Sequence, residues 1–263
     1  MTRISLTAIA FALAATAYTV DSDAQTAERV ISGSEIAIPD YVTKAVNSPS
    51  RPSADKARDT GRKPEKVMAF FGVKPGDNVA ELITFSGYYA LVLSGIVGET
   101  GTVYGHNNAW VMSRAGEQSP LLKKIQETGV SNVIDLVSEL EDPRLPKGEL
   151  DAVFIILIYH DTMGGLKTDR VAMNKAIFDA LKPGGIYGVV DHHAAPGVGA
   201  SEVITKHRVE RHLVVEEILN AGFEFTAETD LLERLDDPMD VSVMNPSVRG
   251  STHRFVLKFT KPD

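Results

Sequence analysis

Between Pro64 and Asp263, short apolar runs alternate with segments whose apolar residues recur at three- and four-residue spacing. Runs of the first kind read as strands, and segments of the second kind as helices buried on one face. The run Leu150-Asp151-Ala152-Val153-Phe154-Ile155-Ile156-Leu157-Ile158 is almost continuously apolar, as a central parallel strand covered on both faces must be. Val79 to Leu82, Gly101 to His106, Asn132 to Val137 and Ile186 to Val190 supply the other strands of an alternating series. Helices are expected over 64–71, 88–97, 121–128, 169–181 and 208–221. Pro64 stands at the favoured first helical position, and Lys182-Pro183-Gly184-Gly185 carries the stop signals of the fourth helix. Phe223 to Ala227 and Phe255 to Phe259 alternate and read as two closing strands, joined through an irregular insertion over 231–251. The pattern predicts an α/β fold: a doubly wound, mostly parallel sheet of seven strands with helices on both faces.

Upstream the pattern changes twice. Met1-Thr2-Arg3 followed by the apolar run Ile4 to Val20 reads as a secretory signal peptide. Ser22-Asp23-Ala24 offers the small residues of a cleavage site, with the cut expected after Ala24 and Ala15-Thr16-Ala17 as a reserve. The run is short for a membrane span, which needs about 20 apolar residues. Residues 25–63 are polar and punctuated by prolines, with a short helix within Ile36 to Ala45. Their charged part, with Asp55, Arg58, Asp59 and Arg62, reads either as a lid over the working edge of the sheet or as a solvated linker. The chain thus divides into a signal peptide, 1–24, an N-terminal lid or extension, 25–63, and a domain over 64–263. The mature protein is expected to be periplasmic or secreted, with no stable membrane span.

Composition narrows the partners. A net charge of −8 argues against a nucleic-acid backbone and favours a small molecule. The absence of cysteine removes disulfides, thiolate metal sites and a cysteine nucleophile.

Candidate chemistry lies at strand ends. In Asn78-Val79-Ala80-Glu81-Leu82-Ile83-Thr84-Phe85-Ser86-Gly87-Tyr88 a strand feeds a helix through a glycine. That helix N-terminus offers unpaired N–H groups to a nucleotide-type ligand, with Glu81 placed to accept hydrogen bonds. Tyr159-His160-Asp161 follows the fourth strand and Asp191-His192-His193 the fifth. Three readings of these tips stand open. In the first, His160 or His192 is a general base oriented by Asp161 or Asp191. In the second, these side chains cap helices and turns. In the third, Asp161, Asp191 and His192 hold a divalent metal, which is possible but not the expectation. His207-Arg208 opens a helix start near the pocket rim, and Arg249 either binds an anion or pairs with Asp236, Asp237 or Asp240. Trp110, Tyr88 and Tyr89 are candidates for stacking on an aromatic substrate.

The order of parts resembles the class I S-adenosylmethionine-dependent methyltransferases, and within them a group of exported bacterial predicted methyltransferases. The resemblance covers roughly residues 48 to 262. It is carried by Arg62-Lys63-Pro64, Gly72-Val73-Lys74-Pro75-Gly76-Asp77, Gly87-Tyr88-Tyr89, Tyr159-His160-Asp161, Leu181-Lys182-Pro183-Gly184-Gly185, Asp191-His192 with Ala194-Ala195-Pro196-Gly197, and Arg249-Gly250. It implies a sheet whose last two strands form an antiparallel edge pair. It also implies S-adenosylmethionine as cofactor, held by Glu81, Thr84, Phe85, Gly87, Tyr88, His106 and Asn107. His160, Asp161, Asp191 and His192 would then carry the catalysis, facing one another across the pocket. The family's loop reads acidic-x-Gly-x-Gly-x-Gly, and here Ile83 and Phe85 take the first two glycine positions. His106-Asn107-Asn108 ends the second strand where the family has an acidic residue for the ribose. The resulting expectation is an exported methyltransferase-like enzyme acting on a small molecule. The alternative keeps the fold and drops the cofactor, leaving a hydrolase- or lyase-type enzyme or a small-molecule binding protein.

Overall fold

The computed structural model describes residues 30–263, so the signal-peptide reading of 1–24 lies outside the described residues. The strands are β1 (Val30–Ile31), β2 (Asn78–Leu82), β3 (Thr102–Asn107), β4 (Val133–Val137), β5 (Leu150–Ile156), β6 (Leu181–His192), β7 (Glu224–Thr229) and β8 (Arg254–Thr260). They form one sheet in the order β1-β7-β8-β6-β5-β2-β3-β4. Every pair is parallel except β6 with β8 and β7 with β8. The α/β class and the mostly parallel doubly wound sheet are as expected. The sheet has eight strands rather than seven, because β1 of the N-terminal segment adds to β7. The antiparallel pair therefore does not end at the sheet's edge: β8 lies between β6 and β7, and β1 covers β7.

The side-chain period of two splits the core between the two faces. Val79, Val103 and Phe154 join one apolar cluster, while their neighbours Ala80, Val153 and Ile155 join the other. On the first face pack α4 (Pro64–Phe71) and α5 (Tyr88–Val97), which contribute Val67, Met68, Phe71, Leu93 and Ile96. On the second pack α9 (Arg170–Ala180) and α10 (Arg211–Asn220), contributing Met173, Ile177, Val214 and Ile218. Asp169 caps α9 by accepting from Val171 and Ala172 N–H. The Lys182–Gly185 stop signal bulges out of β6: pairing with β5 moves from Leu150↔Leu181 to Ala152↔Ile186.

The remaining helices are short: α1 (Asp40–Val46), α2 (Ser53–Lys56), α3 (Asp59–Arg62), α6 (Ala109–Ala115), α7 (Pro120–Thr128) and α8 (Tyr159–Thr162). The α2–α3 segment is not a solvated linker. Arg51 and Asp55 are each 3% exposed. Asp55 pairs with Arg58 and with Lys124 of α7, and Arg254 of β8 donates to the Gly61 carbonyl at 2.8 Å. The segment so bridges elements from both halves of the sheet. Among the described residues no helix is long and apolar enough to cross a membrane.

Candidate functional site at the carboxyl ends of the strands

Chain connections leave β2 toward β3 and β4 on one side and β5 toward β6 on the other, so the strand order reverses between β2 and β5. In an open α/β sheet the ligand crevice forms beyond that point. The loop leaving β2 has an unusual backbone. Ile83, Phe85 and Gly87 have φ of 51°, 52° and 81°, the left-handed region that glycine enters freely and a β-branched residue rarely. These are the three positions at which the resembling family carries glycine. Two bulky side chains thus sit on a backbone conformation that suits glycine. Gly87 also has a packing role, because a Cβ there would lie 2.5 Å from Leu121 Cδ1.

Around this loop the expected cofactor residues have different fates. Glu81 is buried and accepts from the Thr84 hydroxyl. Burial pushes its carboxyl up to about 7, against the hydrogen bond from Thr84. Asn107 spends its amide on the loop: its Oδ1 accepts from Phe85 N–H at 2.8 Å and its Nδ2 donates to the Phe85 carbonyl at 2.9 Å. His106 is fully buried in β3: its Nε2 lies 3.0 Å from the Ser138 carbonyl, its Nδ1 has no hydrogen-bond partner among the described residues, and burial lowers its pKa to about 4. Asn108 caps α6, accepting from Val111 N–H. The Phe85 ring leans edge-on toward Trp110, with centroids 6.0 Å apart, and Trp110 also carries the Arg114 guanidinium over its face. Tyr88 and Tyr89 pack edge to face at the start of α5 rather than standing free to stack. Tyr88 donates to Asp59, and the guanidinium carbons of Arg51, Arg58 and Arg62 lie 5.2, 4.6 and 4.6 Å from its ring centroid.

At the neighbouring tips, Asp191 organises the cluster. It is fully buried and accepts three N–H bonds of 2.7 Å: from His160 N, His160 Nδ1 and His192 N. Asp161 Oδ1 lies 3.4 Å from His160 Nε2 and 2.9 Å from His207 Nδ1. His160 is thus set between two carboxylates. Burial would lower its pKa, but the charge of Asp191 and the hydrogen bonds to both aspartates raise it to about 10. His192 is the opposite case. Burial, with Arg254 and His160 nearby, holds it well below the ordinary histidine value, so its ring is neutral. Its Nδ1 meets Thr252 Oγ1 at 2.8 Å, and that oxygen accepts from Arg254 Nε at 2.9 Å. Of the residues weighed for a metal, Asp191 accepts three N–H bonds and His192 meets Thr252. Asp161 instead comes together with His160 and His207.

His207 precedes α10 rather than opening it, and reaches Asp161 from a left-handed backbone, φ 56°. Arg208 is fully buried and paired with Asp237 at 2.8 Å. Asp237 is therefore not the partner of Arg249, which is exposed in a turn. Sequence reasoning missed Thr252 and Arg254, which lie beside the insertion and carry no motif. A cavity of about 250 Å³ is lined among others by His193, Arg211, Glu233, His253 and Arg254, and by none of His160, Asp161, Asp191, His192 and His207.

Neither a family model nor a curated protein matches the sequence. Solved structures do match the fold. A S-adenosylmethionine-dependent methyltransferase from Aquifex aeolicus has a TM-score of 0.58 at 22% identity, covering 83% of this chain and 97% of that one. The arsenic(III) S-adenosylmethionine methyltransferase CrArsM of Chlamydomonas reinhardtii scores 0.54 at 16% identity, covering 86% and 75%. The [4+2]-cyclase SpnF also scores 0.54 at 16% identity, covering 82% and 85%. The fold is that of the class I S-adenosylmethionine-dependent methyltransferases. Methyl transfer and cyclisation are both named among its bearers, so the fold alone does not choose the reaction.

Proposed function

We propose that this protein is an exported S-adenosylmethionine-dependent methyltransferase-like enzyme acting on a small molecule. The observation that carries this reading is the left-handed backbone at Ile83, Phe85 and Gly87. Two non-glycine residues in that conformation cost about 1–2 kcal/mol each, and such strain persists where a loop shape matters. Glu81, Thr84 and the N–H groups at the start of α5 would hold the cofactor, which when bound supplies a methyl group on a sulfonium sulfur. His192, kept neutral by burial, takes the proton of a substrate hydroxyl or amine. In the tautomer that donates Nδ1–H to Thr252, the lone pair sits on Nε2. Protons on an oxygen or nitrogen that is gaining a methyl group become strongly acidic, so a weak base suffices. His160 and Asp161, 3.4 Å apart at the neighbouring strand tip, would help orient the substrate.

The test is binding of S-adenosylmethionine and of S-adenosylhomocysteine to the mature chain. At a hundredfold excess over Kd the stabilisation is about 2.7 kcal/mol, a rise in Tm of roughly 5–10 °C. His192→Ala should keep this shift and lose turnover. Absence of binding by both compounds to a folded protein would refute the reading.

A second reading has its own support. Asn107, at the end of β3, is not a carboxylate and spends both ends of its amide on the Phe85 backbone, which leaves it nothing to offer a ribose. On that reading the same tips serve a hydrolase- or lyase-type reaction or simple small-molecule binding, and neither compound shifts Tm.

A further inference from the structure

The group His160, Asp161 and His207 plays no part in the proton transfer assigned to His192, and its geometry has a separate logic. One ligand-type atom from each of the three residues lies within 4.8 Å of the others, and Asp161 Oδ1 faces both His160 Nε2 and His207 Nδ1. Two of the separations are 3.4 and 2.9 Å. Donors on adjacent corners of a metal bound at 2.0–2.2 Å are about 3 Å apart, so a small inward movement of the rings completes the set.

The orientation of His160 is decided from behind. Its Nδ1–H donates to the fully buried Asp191, which directs Nε2 toward Asp161. A carboxylate behind a histidine in this way fixes the ring and raises its basicity as a ligand, an arrangement recurrent behind bound metals. Asp191 is itself held by the N–H groups of His160 and His192, so the backing is rigid. His207 arrives from a remote part of the chain, without a helix or strand to carry it. Its backbone lies in the left-handed region, φ 56°. Asp161 and His207 are partly exposed while His160 is buried, so the cluster opens to solvent on one side only.

We propose that His160 Nε2, Asp161 Oδ1 and His207 Nδ1 form a two-histidine, one-carboxylate site for a first-row divalent transition ion, with Asp191 as the positioning residue behind it. Nitrogen donors disfavour calcium and magnesium and suit zinc, manganese, iron(II) or cobalt(II). Three protein ligands leave positions open on the solvent side, where a substrate hydroxyl or carboxylate can bind. The His160 and His192 ring centroids are 5.8 Å apart, which puts such a ligand beside the neutral histidine. The proposal holds whether or not the protein uses S-adenosylmethionine.

The test is titration of the chelator-stripped mature protein with cobalt(II), read by visible d–d absorption, followed by displacement with zinc(II). One equivalent of cobalt is expected. His207→Gly removes a ligand while suiting the left-handed backbone, and should weaken binding by about a hundredfold or more. Asp191→Asn should weaken it about 10–100-fold. If Asp191→Asn fails to fold, His207→Gly and Asp161→Asn still decide the matter. His212→Ala, an exposed histidine outside the cluster, should change nothing. Lack of stoichiometric uptake, or uptake that His207→Gly leaves unchanged, overturns the proposal and leaves a His–Asp ion-pair cluster. Because the readout is metal absorption, failure here is distinct from failure to bind S-adenosylmethionine.

Discussion

Ile83 and Phe85 occupy the same backbone region for different returns. Ile83 is buried, and its side chain recovers about 2–3 kcal/mol against the strain of its φ. Phe85 is 41% exposed and recovers less. Phe85→Gly is therefore expected to leave Tm unchanged or slightly higher and to tighten S-adenosylhomocysteine binding several-fold, measured by calorimetry. Ile83→Gly should instead lower stability by about 1–2 kcal/mol, the buried side chain outweighing the relieved strain. Glu81 makes a pH-dependent prediction. Its folded pKa is raised from 4.5 to about 7, so the folded state binds the extra proton between those values. The associated stability is full below about pH 4.5 and is lost as pH rises through 7, amounting to about 3 kcal/mol. Denaturant melts from pH 5 to 8 should show the wild type falling relative to Glu81→Gln by that order.

At the scale of elements, the buried Arg208–Asp237 pair ties the connection after β6 to the irregular insertion over 231–251. Arg208 also donates to the His193 and Val241 carbonyls, and Asp237 accepts from His253 N–H. Asp237→Ala strands a buried guanidinium and should cost about 3–5 kcal/mol, while the double change Arg208→Met, Asp237→Leu should cost much less. Urea denaturation of the two variants checks this. The α2–α3 segment depends on polar anchors of another kind. Asp55→Ala removes the partner of both Arg58 and Lys124 and should speed limited proteolysis within 51–62 without changing cleavage elsewhere.

On the scale of the whole molecule, the apolar runs and helix spacings already contained the doubly wound sheet. Parallel strands buried on both faces must be apolar throughout, so Leu150 to Ile156 had few other possible roles. β1 carried no such mark: two exposed residues pair with β7 by backbone hydrogen bonding, which leaves no trace in side-chain pattern. The one-turn helices α2, α3 and α8 are too short for a period to register. Export of the chain is a prediction at this scale as well: N-terminal sequencing of the mature protein should begin at Gln25, and an intact Met1 would remove the compartment from the proposal.

What the sequence determined by itself was local: which segments are strands or helices, the polar tips that follow β5 and β6, and the placing of Glu81 and Gly87 on either side of the loop after β2. Each is written in a period, a stop signal or a neighbouring residue. What only the tertiary structure decided was the pairing of distant side chains. His207 meets Asp161 across 46 positions and Thr252 meets His192 across 60, and neither spacing has a period to betray it. The tertiary surroundings also shift the two strand-tip histidines in opposite directions. The charge of Asp191 and hydrogen bonds to two aspartates raise the pKa of His160, while burial beside Arg254 lowers that of His192, although in the sequence both are a histidine next to an aspartate.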